Sequence, residues 1–412
     1  MIEYNDITLH RSLVVEALSK NRYKIGKPAV HHIGDFVNGY KFDYIDLFDY
    51  IIHRDYNNFR VVHYNPRCIY ENMWDEFDGI LRHCRGLVID TESKEIVLLP
   101  YDKFFNLGER EETSQENIAN RLQKARNVEF AVKMDGSLIC ARWYKDQLVV
   151  ATSGTIGPNN FLIDKSIEYI NSHPNYLKLL QEYKDYTFMF EYIFQDDPHI
   201  VIYSPEQQGL YLHGMRNVNS GQYIFYSSIY QIAKDNNILC VNFMENATLD
   251  SIKKELKKWK HDENEGYVMN IDGFFVKLKC EDYIQYAGVI NGLANPHKVM
   301  DLYISGELKS LMDDLDPDTP LTKNVIAIIN EIEEFKIKLH KITIDYYNRI
   351  IIKINPGSKK EFYIALNKDV PKDIRTFVAK MYEENNDIWH TRSGHQMTYT
   401  DMQNLKKKLD NL

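Results

Sequence analysis

The chain has 412 residues, 44% of them hydrophobic and 26% charged, with a formal net charge of −9. That length and composition mark a globular protein with a large core and two or three domains. The acidic balance argues against a protein that simply coats nucleic acid by neutralising many phosphates, while leaving room for a local basic groove. No apolar run approaches the roughly 20 residues needed to span a bilayer. The start, "MIEYNDITLH", lacks the basic and apolar regions of a signal peptide. The expected location is therefore intracellular, in the cytoplasm (the host's, for a viral source), with no membrane partner. Cys68, Cys84, Cys140, Cys240 and Cys280 lie far apart with no CxxC pair, which predicts reduced thiols rather than a zinc site or disulfides.

In chain order, the first hundred residues mix short apolar runs with aromatics, such as "RVVHY". "GLVID" and "EIVLLP" flank "TESK" and predict a β-hairpin. Residues 128–155 give further strands separated by turn residues. "TFMFEYIF", "GLYLHGMRN" and "EGYVMNIDGFFVKLK" continue the pattern, the last with an Asp272-Gly273 hairpin turn. After Lys279 the period changes. Val325, Ile328, Ile332, Phe335, Leu339, Ile342, Tyr346 and Ile350 stand three and four apart, as on an amphipathic helix. Asn355, Pro356 and Gly357 end that helix, and Ser358 with Glu361 offers a capping box to the next. The expected fold is α+β: a domain over 1–284 dominated by antiparallel sheet, then a helical domain over 285–412.

Within "AVKMDGSLIC", Lys133 interrupts an apolar strand. Taken alone, such a lysine packs its stem on the sheet and sends its ammonium to water. A K-x-D-G match also arises by chance in about a tenth of chains this long, so the motif needs support elsewhere. The support is order: Glu191 follows 58 residues on, Glu265 another 74, and Lys277 another 12, with Lys279 beside it. A neutral lysine amine is a competent nucleophile, and cationic neighbours with partial desolvation are expected to lower the Lys133 pKa. Lys277 and Lys279, alternate residues of one strand, share a face and can hold a phosphate. Glu191 and Glu265 can bind ribose hydroxyls or a magnesium ion.

The ordered stretches "KMDG", "FEYI", "LHGMR", "EGYV" and "VKLK" resemble the covalent nucleotidyltransferases: DNA ligases, RNA ligases and mRNA capping enzymes. The resemblance implies a ligase-type adenylation domain in which Lys133 forms a lysyl-nucleotide phosphoramidate. Glu191 would contact the ribose, Glu265 would lie near the α-phosphate and metal, and Lys277 and Lys279 would contact the α-phosphate. Val132, Gly136 and Val268, inside these motifs, are expected in the nucleotide pocket.

Further stretches resemble the RNA ligase 1 family, the T-even phage tRNA-repair type. "HCRGLVID" with "YDKFFNLGERE" places Arg85 and Lys103 on the β- and γ-phosphates of ATP, with Phe105 packing nearby. "VVHYN" supplies Tyr64 as a nucleotide-contacting tyrosine, and "GLANPHKVMDLYISGEL" is similar to that family's helix after the last motif. Residues 1–60 are divergent, and the tail beyond about 310 aligns with nothing. A β-rich domain follows the last motif in DNA ligases and capping enzymes, whereas the period here is helical, which favours RNA and suggests that 285–412 holds it. Two positions depart from the family: Ser153 replaces a basic residue, and Lys309 and Ser310 replace an acidic pair, with Glu307 and Asp313 the nearest acids.

The reaction implied is ATP-dependent, magnesium-requiring (manganese as substitute) joining of RNA 3′-hydroxyl and 5′-phosphate ends, through lysyl-AMP and adenylylated RNA, in RNA or tRNA repair. Tyr283 is placed either on a terminal RNA base or in the core. No GxxxxGK[ST] loop is present, so a separate end-healing kinase/phosphatase is the expected partner. The competing readings are a DNA ligase, a GTP-using capping enzyme, and a non-catalytic RNA-binding homologue.

Overall fold

The β-branched and aromatic runs of the first 280 residues pair into four sheets. In the computed structural model, which describes residues 14–20, 22–28, 42–308, 312, 320–384, 387–390 and 395–410, the chain forms two units, Met1–Ile284 and Gln285–Leu412. A ribbon joins β1 (Lys24–Pro28) to β2 (Phe42–Asp46). A four-stranded antiparallel sheet follows the chain through β3 (Ile51–Tyr56), β4 (Phe59–Tyr64), β5 (Arg85–Asp90) and β6 (Glu95–Leu98). Its last two strands are the hairpin expected around "TESK".

The other two sheets frame the site. One has the order β13 (Phe243–Met244), β8 (Val128–Lys133), β14 (Gly266–Ile271), β15 (Phe274–Lys279), β7 (Phe105–Asn106), and only its β15–β7 pair is parallel. The other has the order β10 (Gln147–Ala151), β9 (Ser137–Tyr144), β11 (Tyr186–Ile193), β12 (Gly209–Asn217). Asp272, at φ 49°, and Gly273 make the turn between β14 and β15. The chain passes from β8 to β9, hence from one sheet to the other, through Met134, Asp135 and Gly136. A shared core of Ala131, Ile139, Phe188, Phe190, Leu212 and Phe275 joins the two sheets to the helices Phe161–Ser172, Pro174–Glu182 and Tyr226–Asp235.

Buried carboxylates fasten this frame. Glu129, 7% exposed, accepts the N–H groups of Tyr226 (2.6 Å) and Ser227 (3.1 Å). It thereby caps a helix whose own N-cap residue, Phe225, has no side-chain acceptor. Arg216, wholly buried, donates to both oxygens of Asp102 (2.8 and 3.0 Å), and His83 Nδ1 lies 2.6 Å from the same carboxylate. Burial opposes the charge on Asp102, but Arg216 and His83 outweigh it and hold the carboxyl well below its usual range. This cluster sits two residues before Arg85 and one before Lys103, so it also sets their positions.

The second unit is helical among the described residues. Val325, Ile328, Ile332, Phe335, Leu339 and Ile350 are buried along one stripe, with Ile342 and Tyr346 packed at its side. The helix Pro320–Asn348 runs on into a π-helical turn, Arg349–Ile354, and stops at Asn355 in the left-handed region (φ 48°). Ser358 accepts the Glu361 N–H at 3.3 Å, while the Glu361 carboxylate takes the N–H of Gly357 at 2.7 Å, one residue short of a reciprocal capping box. Lys309, Ser310 and Asp313 lie outside the described residues. No described helix is long and apolar enough to cross a membrane. All five cysteines are free thiols.

Removing a partner from a buried ion pair leaves an uncompensated charge, at a cost of about 3–5 kcal/mol. Arg216→Met is therefore expected to lower the unfolding free energy of the first unit, read from urea titration, by that amount. A loss below about 1 kcal/mol would contradict the role given to this cluster.

Candidate active site

The strand ends bring the sequence-predicted residues together. Because β14 is central, Gly266 is opposite Lys133 on one side and Lys279 on the other. The residue before it, Glu265, thus stands between the two lysines. Its carboxylate, 3% exposed, is ion-paired with the Lys133 ammonium and with Lys279 at 2.8 Å. Beside this chain of charges lies a cavity of about 310 Å³. Arg85, Val132, Lys133, Gly136, Glu191, Val268 and Lys277 all line it, joined by Tyr101, Phe104, Met134, His213, Tyr226 and Val241.

The electrostatics differ from the sequence expectation in one respect. Burial does oppose the charge on Lys133, but Glu265 and Glu191 outweigh it and hold the ammonium above the usual lysine range. The expected depression falls on Lys277 instead. Burial, aided by Arg85, Lys103, Lys133 and Lys279, pushes Lys277 down to about 7, and its ammonium lies 5.0 Å from the Phe104 ring centre. The difference arises because Lys133 touches a carboxylate and Lys277 faces only cations. Burial likewise pushes Glu191 up to about 7, against the pull of Lys133, and its Oε1 accepts the Gly136 N–H at 3.2 Å.

Gly136 is required by close approach. A Cβ there would come within 2.5 Å of the Tyr192 carbonyl oxygen and 3.0 Å of Glu191 Cγ, so a side chain would force β11 and its glutamate away. Asp135, by contrast, points out of the cavity. Its Oδ2 accepts the N–H groups of Ile200 (3.0 Å) and Val201 (3.1 Å), and its Oδ1 the Tyr283 hydroxyl (2.9 Å). Tyr283 is 6% exposed. Of its two expected readings, that burial and hydrogen bond support packing in the core rather than on an RNA base.

Tyr64, Lys103 and Phe105 lie outside the cavity wall, in a cluster joined to it through Arg85. Burial raises the Tyr64 hydroxyl above its usual range, and nearby Arg85 opposes the rise. The Lys103 ammonium is 5.6 Å from the Tyr64 ring centre, 5.3 Å from Trp74 and 5.1 Å from Phe105. Phe105, 3% exposed, is a core residue under these cations, and its neighbour Phe104 is the one that lines the cavity. Sequence reasoning missed Phe104, Tyr101 and His213, although "LHGMR" was singled out as a motif. It also missed His63, whose imidazole is neutralised by burial and by nearby Arg85 and Lys103. Among the described residues no group of three or more His, Cys, Asp or Glu side chains is arranged to hold a metal. Glu265 and Glu191 are the carboxylates that act most strongly on Lys133.

The Lys277 shift has a signed consequence. Below pH 7 the folded chain carries this buried charge at a cost, while between pH 7 and about 10.4 only the unfolded chain keeps the proton. Lys277→Met should therefore be more stable than wild type at pH 6, and its advantage should shrink as pH rises from 7 to 10. Denaturant titrations across that range check this, and a difference independent of pH would contradict it.

The RNA ligase family matches residues 83–284. Over 248 residues the chain is 27% identical to a protein of Autographa californica nuclear polyhedrosis virus named as a bifunctional polynucleotide kinase/RNA ligase, covering 57% of this chain and 35% of that one. Over 234 residues it is 28% identical to tRNA ligase 1 of Schizosaccharomyces pombe, covering 47% and 28%. The chain thus spans about a third of the length of these two relatives. A solved archaeal ATP-dependent RNA ligase aligns at 14% identity and a TM-score of 0.45 over 68% of this chain and 72% of its own. The match to the RNA ligase family over residues 83–284 takes in every residue of the cavity wall.

Proposed function

We propose that the protein is an ATP-dependent RNA ligase that joins RNA 3′-hydroxyl and 5′-phosphate ends through a lysyl-AMP intermediate on Lys133. The observation that carries this reading is a lysine amine at the wall of the cavity, ion-paired with a carboxylate and backed by further cations.

In the first step the Lys133 amine, its proton passed to Glu265, attacks the α-phosphorus of ATP. A P–N bond forms, the bond to the bridging oxygen breaks, and pyrophosphate leaves. Arg85 and Lys103 bind its phosphates, and Lys277 and Lys279 stabilise charge on the α-phosphate. The 5′-phosphate of an RNA end then displaces Lys133, giving adenylylated RNA. Last, a 3′-hydroxyl attacks that phosphate and AMP departs. Positioning and electrostatics supply most of the acceleration in such phosphoryl transfer.

Magnesium fits this donor set. It is held by one or two carboxylates together with substrate phosphates rather than by an all-protein cage, and Glu265, beside Lys133, supplies one. When bound it neutralises polyphosphate charge, and manganese has the same ligand preferences.

The finer reading is RNA repair, with nicked tRNA as a substrate. The similarity to a tRNA ligase supports it. The 5′-phosphate ends would come from a kinase activity, which the viral relative's name pairs with RNA ligase. The helical unit is the part we assign to RNA binding, and the cytoplasm the expected compartment.

Sealing assays with 5′-phosphate RNA should give joined product with ATP and magnesium, and far less with GTP or with DNA ends. Lys133→Ala should reduce sealing of unactivated RNA by at least about a thousandfold, while still joining chemically pre-adenylylated RNA, since only the first two steps use the amine. Equal sealing by Lys133→Ala with unactivated RNA would contradict the proposal.

A further inference from the structure

We infer that His213 is a specificity-determining positioning residue that pairs with Glu191 to form the edge recognising the ribose of the nucleotide; the inference rests on the ligase reading above and adds to it a residue that reads the sugar.

The local backbone is built around this histidine. Between β11 and β12, Met189 pairs with Gly214 and Phe190 with Leu212, so His213 has no residue opposite and forms a β-bulge. A bulge breaks the strict alternation of a strand and re-aims a side chain. Here the re-aimed side chain lines the cavity beside Glu191.

The bulge is also pinned. The Tyr101 hydroxyl donates to the His213 carbonyl at 2.7 Å, and the Tyr101 ring stacks on the imidazole at 5.7 Å and 13°. Gly214 makes room for this contact, because a Cβ there would stand 2.3 Å from the Tyr101 hydroxyl. Tyr101 itself is 5% exposed and cannot swing aside.

What this arrangement holds is a polar atom with nothing to bond. His213 Nε2 is buried without a hydrogen-bond partner, and Glu191 Oε2 stands 3.4 Å from it, the two side chains being 18% and 13% exposed. The other Glu191 oxygen is occupied by the Gly136 N–H at 3.2 Å. A small rotation closes the Nε2–Oε2 gap, and one proton then lies between the two groups whichever of them carries it. The carboxylate is thereby held at both oxygens in one orientation, with its remaining lone pairs free for a sugar hydroxyl. A site built to hydrogen-bond a hydroxyl rejects the analogue that lacks it, because its buried polar groups are left unpaired.

The test compares kcat/KM for enzyme–AMP formation from ATP and from 2′-deoxy-ATP in wild type, His213→Phe, His213→Gln and His213→Asn. Phe keeps the ring and its stacking on Tyr101 but has neither proton nor lone pair, so the preference for ATP over 2′-deoxy-ATP should fall about tenfold, the worth of one hydrogen bond. Gln places an amide where Nε2 stands and should keep the preference within about threefold. Asn is too short and should lose it as Phe does, which decides the matter even if the Phe variant fails to fold. A role in packing alone would slow both nucleotides equally, and an unchanged ratio in Phe and Asn would overturn the inference while leaving the ligase reading intact. Absence of any adduct on the wild-type enzyme would overturn both.

Discussion

A single buried carboxylate, Glu265, holds the two lysines at the ends of β8 and β15 together. Without it, Lys133, Lys277 and Lys279 would present like charges at one end of neighbouring strands. Each contact is worth of order 4 kcal/mol at the effective dielectric near a protein surface, and desolvating each ion costs several kcal/mol. The two terms nearly cancel, so the cluster is better understood as a positioning device than as a source of stability. It holds the Lys133 ammonium with a carboxylate already in contact. The same arrangement leaves Lys277, which lacks a carboxylate, as the amine that titrates near neutrality.

The scaffold repeats this use of buried acids. Glu129 caps a helix, Asp135 ties down the backbone at Ile200 and Val201, and Asp102 is clamped by Arg216 and His83. Acidic residues thus hold the frame while Arg85, Lys103, Lys133, Lys277 and Lys279 gather at and beside the cavity. A chain of net charge −9 therefore carries a locally basic site suited to a polyanion.

Much of this was legible in the amino-acid order. The strand pulses, the Asp272-Gly273 turn and the change to helical spacing after Lys279 follow from local periodicity, which one sequence displays. The motif lysines and glutamates were recognisable because alternate strand positions and ordered spacing carry them to one place. What escaped depends on tertiary contact. Whether Lys133 or Lys277 has the depressed pKa is decided by which one touches Glu265, a matter of strand register. Phe104 and Phe105 are adjacent and chemically identical, and only the sheet decides which faces the cavity. Tyr283 carries an aromatic ring that reads equally as a base platform or as core, and its bond to Asp135 supports the core. His213 had no periodic signal because a bulge suspends the alternation that sequence reading relies on.

Lys133 is the residue we propose becomes covalently nucleotidylated. Incubation of the full chain with ATP and magnesium, followed by proteolysis and mass spectrometry under conditions that preserve phosphoramidates, tests it directly. The account predicts a mass increment of one AMP confined to the peptide containing Lys133. AMP found on Lys277 or Lys279 instead, or no covalent nucleotide on any peptide, would contradict it.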